Sequence, residues 1–311
     1  MVSLKDDTLI CFLGPLGTSD HRAIELFSDI GVYVPLPMAS ISEIVQTVNY
    51  TPGCLGVVPL ENSTDGELTT ISDKLIFEAT DIRIQQECVL AEVICAYGLA
   101  DLSVATTVIS HPQILDLCSR FIKERGLSTR HATSTTEACR LVAREKDVTL
   151  IALAPPAVGQ KMGLSAFDDT VLDVPEIRTR YVLIGQGVAP ATGFDKSVFV
   201  VTPAFDAAGA LSDVLSSFTK FSVNMLSILS RPLQTKIGLH SFYITCEGHV
   251  NDTPILYAVE SLLERGHSVK HLGSFPRWKG AEVTAPFANL PLGSIDPEDL
   301  NTKSVRELLG V

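Results

Sequence analysis

The sequence carries no signature of a metal, nucleotide or covalent-nucleophile enzyme. It has no HExxH pair and no clustered carboxylates, and its HxxxH spacing, His267 and His271, falls at the strand-like "SVKHLGS", so no metal site is expected. There is no GxSxG, and no serine or cysteine stands beside an obvious base. The segment "GPLGT" has neither Walker nor GxGxxG spacing. Cysteines number seven, an odd count with no CxxC, and most sit in apolar runs such as Ile10-Cys11-Phe12. They read as small core residues in a reducing compartment, which excludes a disulfide framework. Basic side chains are few against acidic ones, 24 to 36, giving a net charge of −12. That argues against nucleic-acid or anionic-membrane partners, because phosphate binding draws on excess Lys and Arg. A small anion needs only a few local donors and stays open. No apolar run reaches the roughly 20 residues of a membrane span. The most apolar stretch, "AEVICAYGLADLSVATTVIS", is broken by Glu92, Gly98 and Asp101. With Lys5, Asp6 and Asp7 at its start, the chain shows no signal peptide, and a cytoplasmic protein is expected.

What is present is a chain of 311 residues, 46% hydrophobic, long enough for two or three compact units. Over 8–186, short apolar runs alternate with amphipathic stretches, the mark of an α/β architecture. "TLICFLG", "CLGVVPL", "TTVIS" and "TLIALA" read as strands. Ala23, Leu26, Phe27 and Ile30 form a helical stripe that Gly31 closes, and Leu68, Ile71 and Leu75 begin another. Ile114, Leu117, Cys118, Phe121 and Ile122 form a third stripe, ended by Gly126. Ser134 and Glu137 have capping-box spacing, and Pro155-Pro156 suit a helix's first turn. Residues 187–195, "GVAPATGFD", have a linker's composition. Over 196–278, strand and helix patterns follow the order βαββαβ, a ferredoxin-like unit. A tail over 279–311 holds one short helix near "TKSVRELL".

Chemistry is expected at four strand-to-helix junctions: "GPLGTSDH" (14–21), "PLENSTDG" (59–66), "ISHPQ" (109–113) and "TSTTE" (133–137). A helix start presents unpaired N–H groups and partial positive charge, and in open α/β sheets ligands sit beyond the strands' carboxyl ends. Converging junctions would hold an anion without a basic surface. Each also has a plainer role. Ser110 with Gln113 and Ser134 with Glu137 would cap helices, while Asn62 and Ser63 would serve as turn residues. "IRTRYVLIG" (177–185) would be a polar lead-in to a buried strand.

Taken in order, these motifs resemble the prephenate dehydratase family. "FLGPLGT" looks like its "YLGPEGT", "GVVPLENSTDG" like "GVVPIENSxEG", and "TRYVLIG" like "TRFLVIG", with "SHPQ" and "STTEA" between. "GALSDVL", "LSRP" and "LGSFPR" are similar to the "GALxxxL", "ESRP" and "LGSYPR" of its ACT domain. The resemblance implies a catalytic region over 8–186 with two α/β lobes and a cleft, periplasmic-binding-protein-like. A ferredoxin-like ACT domain would follow over 196–278. It also implies conversion of prephenate to phenylpyruvate with loss of carbon dioxide and water, using no cofactor. By resemblance Thr179 is the catalytic hydroxyl and Arg180 pairs with a substrate carboxylate. Gly17, Thr18, Asn62, Ser63, Ser110 and Gln113 complete that pocket. Phenylalanine as effector would lie against Gly209, Ala210, Leu211, Asn224, Met225, Leu229, Ser230, Arg231 and Pro232, in a homodimer or homotetramer.

The chain departs from the family pattern at several positions. Ser19 stands where "GTF" has an aromatic residue, and Ile177 stands where an asparagine is common. Val93 and Ile94 occupy the neighbourhood of a family histidine, and Leu229 replaces the acid of "ESRP". Arogenate dehydratase, a non-aromatising prephenate decarboxylase and a non-enzymatic amino-acid sensor therefore stay open as alternatives. Retention of Glu61-Asn62-Ser63 and Thr179-Arg180 favours dehydration.

Overall fold

Among the described residues the first element is β1 (Thr8–Leu13), whose central Ile10, Cys11 and Phe12 are fully buried. An unbroken apolar run is what a strand covered on both faces requires. After β1 come α1 (Ser19–Ala23), β2 (Tyr33–Met38), α2 (Ile41–Tyr50), β3 (Leu55–Asn62), β4 (Gly66–Glu67), α3 (Thr69–Phe77) and β5 (Ile82–Ala91). The chain then builds β6 (Cys95–Gly98), β7 (Thr107–Ser110), α4 (Pro112–Leu117), α5 (Ser119–Glu124), β8 (Ser128–His131), α6 (Thr135–Glu145), β9 (Leu150–Ala154) and β10 (Ser165–Ala166). It returns through β11 (Arg178–Gln186) to the first sheet, whose order is β2-β1-β3-β11-β5 with β4 on β3. The second sheet runs β10-β6-β9-β7-β8. This computed structural model describes residues 8–27, 30–64, 66–156, 158–167, 170–174, 177–233, 240–281, 283, 294–295 and 304–309.

A third, antiparallel sheet runs β13-β14-β12-β15. Its elements follow as β12 (Asp195–Thr202), α7 (Ala210–Lys220), β13 (Met225–Pro232), β14 (His240–Glu247), α8 (Thr253–Glu264) and β15 (Ser268–Pro276). Both helices pack on it around Phe199, Phe218, Ile244 and Leu262. The sheet's other face shares one core with the first sheet: Val198, Tyr243, Leu272 and Phe275 pack with Ile82, Ile84 and Val182. Lys270 Nζ donates to the carbonyls of Leu75, Ile76 and Ala79 at 2.9, 2.7 and 2.6 Å. A cation at the end of α3 meets the unpaired carbonyls left there. A last short helix, α9, spans Val305–Leu309. Among the described residues no helix is long and apolar enough to cross a membrane. All seven cysteines are buried and free.

Three local expectations change. The stripe from Ala23 to Ile30 does not continue as one helix. Helix α1 gives way to a 3-10 turn at Ile24–Leu26, and Phe27 is extended. Ile24 and Phe27 are buried while Leu26 is 39% exposed, so this surface does not follow the helical period. The stripe from Ile114 to Ile122 breaks at Cys118, because Asp173 intervenes. Its backbone N–H donates to Leu117 O at 2.9 Å, and its carboxylate accepts from Ser119 Oγ and Arg120 N. After Pro155-Pro156 the described residues form only a 3-10 turn, Gln160–Met162. Strand β2 and helix α2 were not legible as elements, since Pro35 and Pro37 interrupt the strand pattern.

Candidate active site

The chain passes between the first two sheets twice, after β5 and before β11, and the two crossings run side by side. Glu92 N donates to Ile177 O at 2.7 Å, and Val171 N donates to Ile94 O at 2.8 Å. A cleft of about 300 Å³ opens at this double crossing. Thr18, Asn62, Thr179 and Tyr181 line it from the first sheet, and His111, Gln113 and Thr133 to Thr135 from the second. Its size lies at the lower end of the roughly 300–1,000 Å³ typical of small-ligand sites.

Strand alternation decides which part of "IRTRY" reaches the cleft. Ile177, Thr179 and Tyr181 face it, with Thr179 paired between Asn62 of β3 and Leu90 of β5. Arg180 points the other way, into a separate cavity between the first and third sheets. Its Nε donates to Glu61 Oε2 and its Nη1 to Glu87 Oε2, each at 2.9 Å. Lys196 of β12 reaches the same Glu87 oxygen at 2.5 Å. Burial would raise the Glu87 carboxyl, but Lys196 and Arg180 outweigh it and hold it below the usual carboxylate range. The expectation that Arg180 meets a substrate carboxylate is therefore not met: its fork is committed to two glutamates on the opposite face.

Thr18, Asn62 and Gln113 are brought together in the cleft. Thr18 Oγ1 donates to Leu13 O at 3.1 Å and caps α1 by accepting from His21 N. Gly17 sits just behind, at φ +93°, a conformation glycine adopts without strain, and its N–H donates to His21 Nδ1 at 3.1 Å. Asn62 Oδ1 accepts from Thr64 N and Thr64 Oγ1 at 2.9 and 2.8 Å, which sets the turn after β3. Ser63 is not among the residues lining the cleft. Its Oγ accepts from Arg178 N at 3.0 Å and its N–H donates to Arg178 O at 2.9 Å, tying the end of β3 to the start of β11. Ser110 is fully buried, and its Oγ donates to Leu153 O at 2.8 Å between β7 and β9. Ser134 caps α6 as its spacing predicts, accepting from Glu137 N at 3.0 Å.

The group that motif reasoning missed is Glu92. Ser19 Oγ donates to Glu92 Oε2 at 2.7 Å, and the hydroxyls of Thr179 and Tyr181 stand near enough to the same carboxyl to favour its charged form. Desolvation raises its pKa, opposed by those hydroxyls and by Arg22. Beside it Asp20 is pushed up to about 7 by burial and then by Glu92's charge. Asp20 Oδ1 and Arg22 Nη1 are enclosed without a hydrogen-bond partner. The cleft floor is thus a polar, acid-bearing cluster around Thr179. One signal was available: a glutamate inside "CVLAEVIC" is costly to desolvate unless it is paired or protonated.

A larger cavity, about 510 Å³, lies on the third sheet, lined by Gly209, Ala210, Leu211 and Ser230 together with Phe205 and Phe242. Gly209, at φ +97°, caps α7 there. The other expected effector residues lie outside that lining. Asn224 O accepts from Glu247 N, Met225 packs in the third sheet's own core, and Pro232 pairs with His240. Leu229 packs on the core shared with the first sheet. Arg231 donates from Nε and Nη2 to Asp73 of α3 at 2.8 and 2.5 Å.

The family model described as prephenate dehydratase matches residues 10–188. The prephenate dehydratase of Methanocaldococcus jannaschii is 31% identical over 268 residues, covering 84% of this chain and 96% of that protein. A prephenate dehydratase from Arthrobacter aurescens, solved in complex with L-Phe, aligns with TM-score 0.77 at 24% identity, covering 90% of this chain and 93% of that one. The solved structure of GqqA, described as a quorum-quenching acylase, aligns with TM-score 0.76 at 22% identity, covering 87% of this chain and 98% of that one. At such identities the likeness is one of fold, which by itself does not fix chemistry. The family model over more than half the sequence, and a 31% identical relative matched almost end to end, place it: this chain belongs to the prephenate dehydratase family.

Proposed function

We propose that the chain converts prephenate to phenylpyruvate, with Thr179 as the hydroxyl at the departing oxygen. The observation that carries this is the placement of Thr179, its side chain facing the cleft at the crossing of the two sheets. Aromatisation supplies the driving force: the electrons of the lost carboxylate enter the ring as the 4-hydroxyl leaves. The protein then has to hold a dianion, exclude water and stabilise developing hydroxide. The start of α6, with Thr133 to Thr135 on the cleft, offers N–H and hydroxyl donors to a carboxylate. Thr18, Asn62 and Gln113 supply further polar contacts from both sides. The first two sheets act as two lobes closing on the substrate, in the manner of periplasmic binding proteins.

The βαββαβ unit is read as an ACT domain that binds phenylalanine in the 510 Å³ cavity beside Gly209 to Leu211. The L-Phe complex of the Arthrobacter aurescens relative supports that reading. A homodimer or homotetramer is read from β13, an edge strand exposing Leu226 and Ile228, since such an edge favours pairing. The enzyme would work in the cytoplasm.

The test is incubation of the purified chain with prephenate at neutral pH, with arogenate in parallel. Phenylpyruvate, read by absorbance in alkali and by mass, is the expected product. A non-aromatic decarboxylated product overturns dehydration, and turnover of arogenate alone transfers the reading to the amino substrate. Thr179→Ala is expected to lower kcat about 100- to 1,000-fold, the usual loss of one transition-state donor, with a small change in KM. Full turnover in that variant removes Thr179 from the reaction.

A further inference from the structure

We propose that Glu92 supplies the proton for the departing hydroxyl, acting through Thr179. The proposal rests on Thr179 standing at the leaving oxygen and adds what stands behind it. A threonine hydroxyl has a single proton. Ser19, Thr179 and Tyr181 line the cleft together with Glu92. If Glu92 is ionised, the Ser19 hydroxyl that hydrogen-bonds it and the neighbouring Thr179 and Tyr181 hydroxyls all turn their protons to it. Thr179 then turns only lone pairs toward the substrate and offers nothing to a leaving hydroxide. If Glu92 is protonated, its O–H donates to Thr179 Oγ1, and the threonine proton is free to point at the leaving oxygen. The direction of one hydrogen bond therefore separates a competent site from an incompetent one.

The surroundings favour the protonated form. Desolvation raises the Glu92 carboxyl, and arrival of a dianionic substrate at a site already holding Asp20 raises it further. The charged and titratable groups facing it are Asp20 and Arg22 of α1 and Tyr181 of β11. His111 lines the cleft from the second sheet, and His21 is held by Gly17 N. Arg22 opposes protonation.

In the step, the ring C–O bond breaks with its electron pair on oxygen. The bond to the ring carboxylate breaks with its pair entering the ring, releasing carbon dioxide. The Thr179 proton passes to the leaving oxygen to make water, and the Glu92 proton passes to Oγ1. Glu92 ends as a carboxylate and regains a proton from solvent before the next turnover. The sum is prephenate dianion plus one proton giving phenylpyruvate anion, carbon dioxide and water.

The experiment is kcat and KM for prephenate against pH in the full chain and in Glu92→Gln, Asp20→Asn and Ser19→Ala. The wild type is expected to lose kcat tenfold per pH unit above a single pKa. Glu92→Gln keeps the side chain's shape without its acid proton. It is expected to lower kcat about 100-fold, within the usual range for general acids, to change KM little and to abolish that basic limb. Asp20→Asn should keep the limb. Ser19→Ala removes a donor to the carboxylate and should move the limb to higher pH. This readout holds even if Glu92→Gln proves unfolded by thermal melting. Wild-type kcat or an intact limb in Glu92→Gln overturns the proposal, as does an unmoved limb in Ser19→Ala. Loss of the limb in Asp20→Asn alone would assign the proton to Asp20 and overturn it too. A wild type that makes no phenylpyruvate sinks the dehydratase reading itself; an active wild type with an indifferent Glu92→Gln sinks only the role of Glu92.

Discussion

Ser110 shows how a residue in a motif can serve the frame instead of the ligand. Its hydroxyl is sealed between β7 and β9, donating to Leu153 O. Ser110→Ala should leave the Leu153 carbonyl without that donor and cost about 1 kcal/mol of stability, with KM unchanged. Denaturant unfolding and steady-state kinetics on the same sample check this; a large rise in KM without a stability loss would return Ser110 to the substrate. Asp20 behaves differently, because its pKa is raised to about 7 by burial against about 3.9 when unfolded. A raised acid binds its proton more tightly in the folded state. Its contribution is therefore present below about pH 4 and is lost as pH climbs toward about 7. Asp20→Asn should flatten the decline in melting temperature across that window and leave the low-pH value nearly unchanged. An identical pH profile in both proteins would show that Asp20 is not held in the raised state. Asp20 and Glu92 thus lie beside Thr179 as two acids that burial raises together.

At the scale of elements, β5 is the member on which two functions meet. Its end carries the chain into the crossing where Glu92 sits, and its beginning supports β15 of the third sheet. Gly273 makes that second contact possible: a Cβ there would lie 2.3 Å from Ile84 O and 2.7 Å from Ile84 N. Backbone on both sides leaves nothing to rotate away, and φ +147° suits glycine alone. Gly273→Ala should therefore cost on the order of 1–3 kcal/mol and loosen the third sheet from the first. Calorimetry should show a lower or split transition; a single unshifted one would mean that β15 and β5 can separate without cost. Strand β11 works by the same logic of faces, with Thr179 toward the cleft and Arg180 in the ion cluster with Glu61, Glu87 and Lys196. One strand thereby joins the candidate chemistry on one side to the third sheet on the other.

For the whole molecule, any phenylalanine signal must cross from the third sheet to the first. Contacts that span this boundary include the Arg231–Asp73 pair, Lys270 on the carbonyls of α3, Lys196 on Glu87, Gly273 against Ile84 and the shared apolar core. Arg231 adjoins Ser230, which lines the third-sheet cavity, so its pair with Asp73 links that cavity to α3. Asp73→Asn should keep basal turnover and raise the phenylalanine concentration for half-inhibition several-fold, in line with coupling energies of about 1–3 kcal/mol. Inhibition curves with prephenate as substrate measure this, and an unchanged midpoint would exclude the pair from coupling.

Much of the design was legible in the linear chain. Apolar runs marked β1, β3, β7 and β9, spacing marked the Ser134 cap, and motif order marked Thr179, because each depends on neighbours within a few residues. Glu92 escaped: the missing family histidine drew attention to Val93 and Ile94, and the adjacent glutamate counted only as an interruption of an apolar run. Ser63, Ser110 and Arg180 were grouped with the pocket because sequence order cannot tell which face of a strand a side chain takes once pairing is set elsewhere. The sequence by itself determined most of the strands, the Ser134 cap and the family, and singled out Thr179. Only the tertiary structure decided that Arg180 turns to Glu61 and Glu87 and that Ser19 and Glu92, 73 residues apart, meet beside Thr179. The physical reason is that strand register and long-range pairing, which no local pattern records, assign partners to buried polar groups.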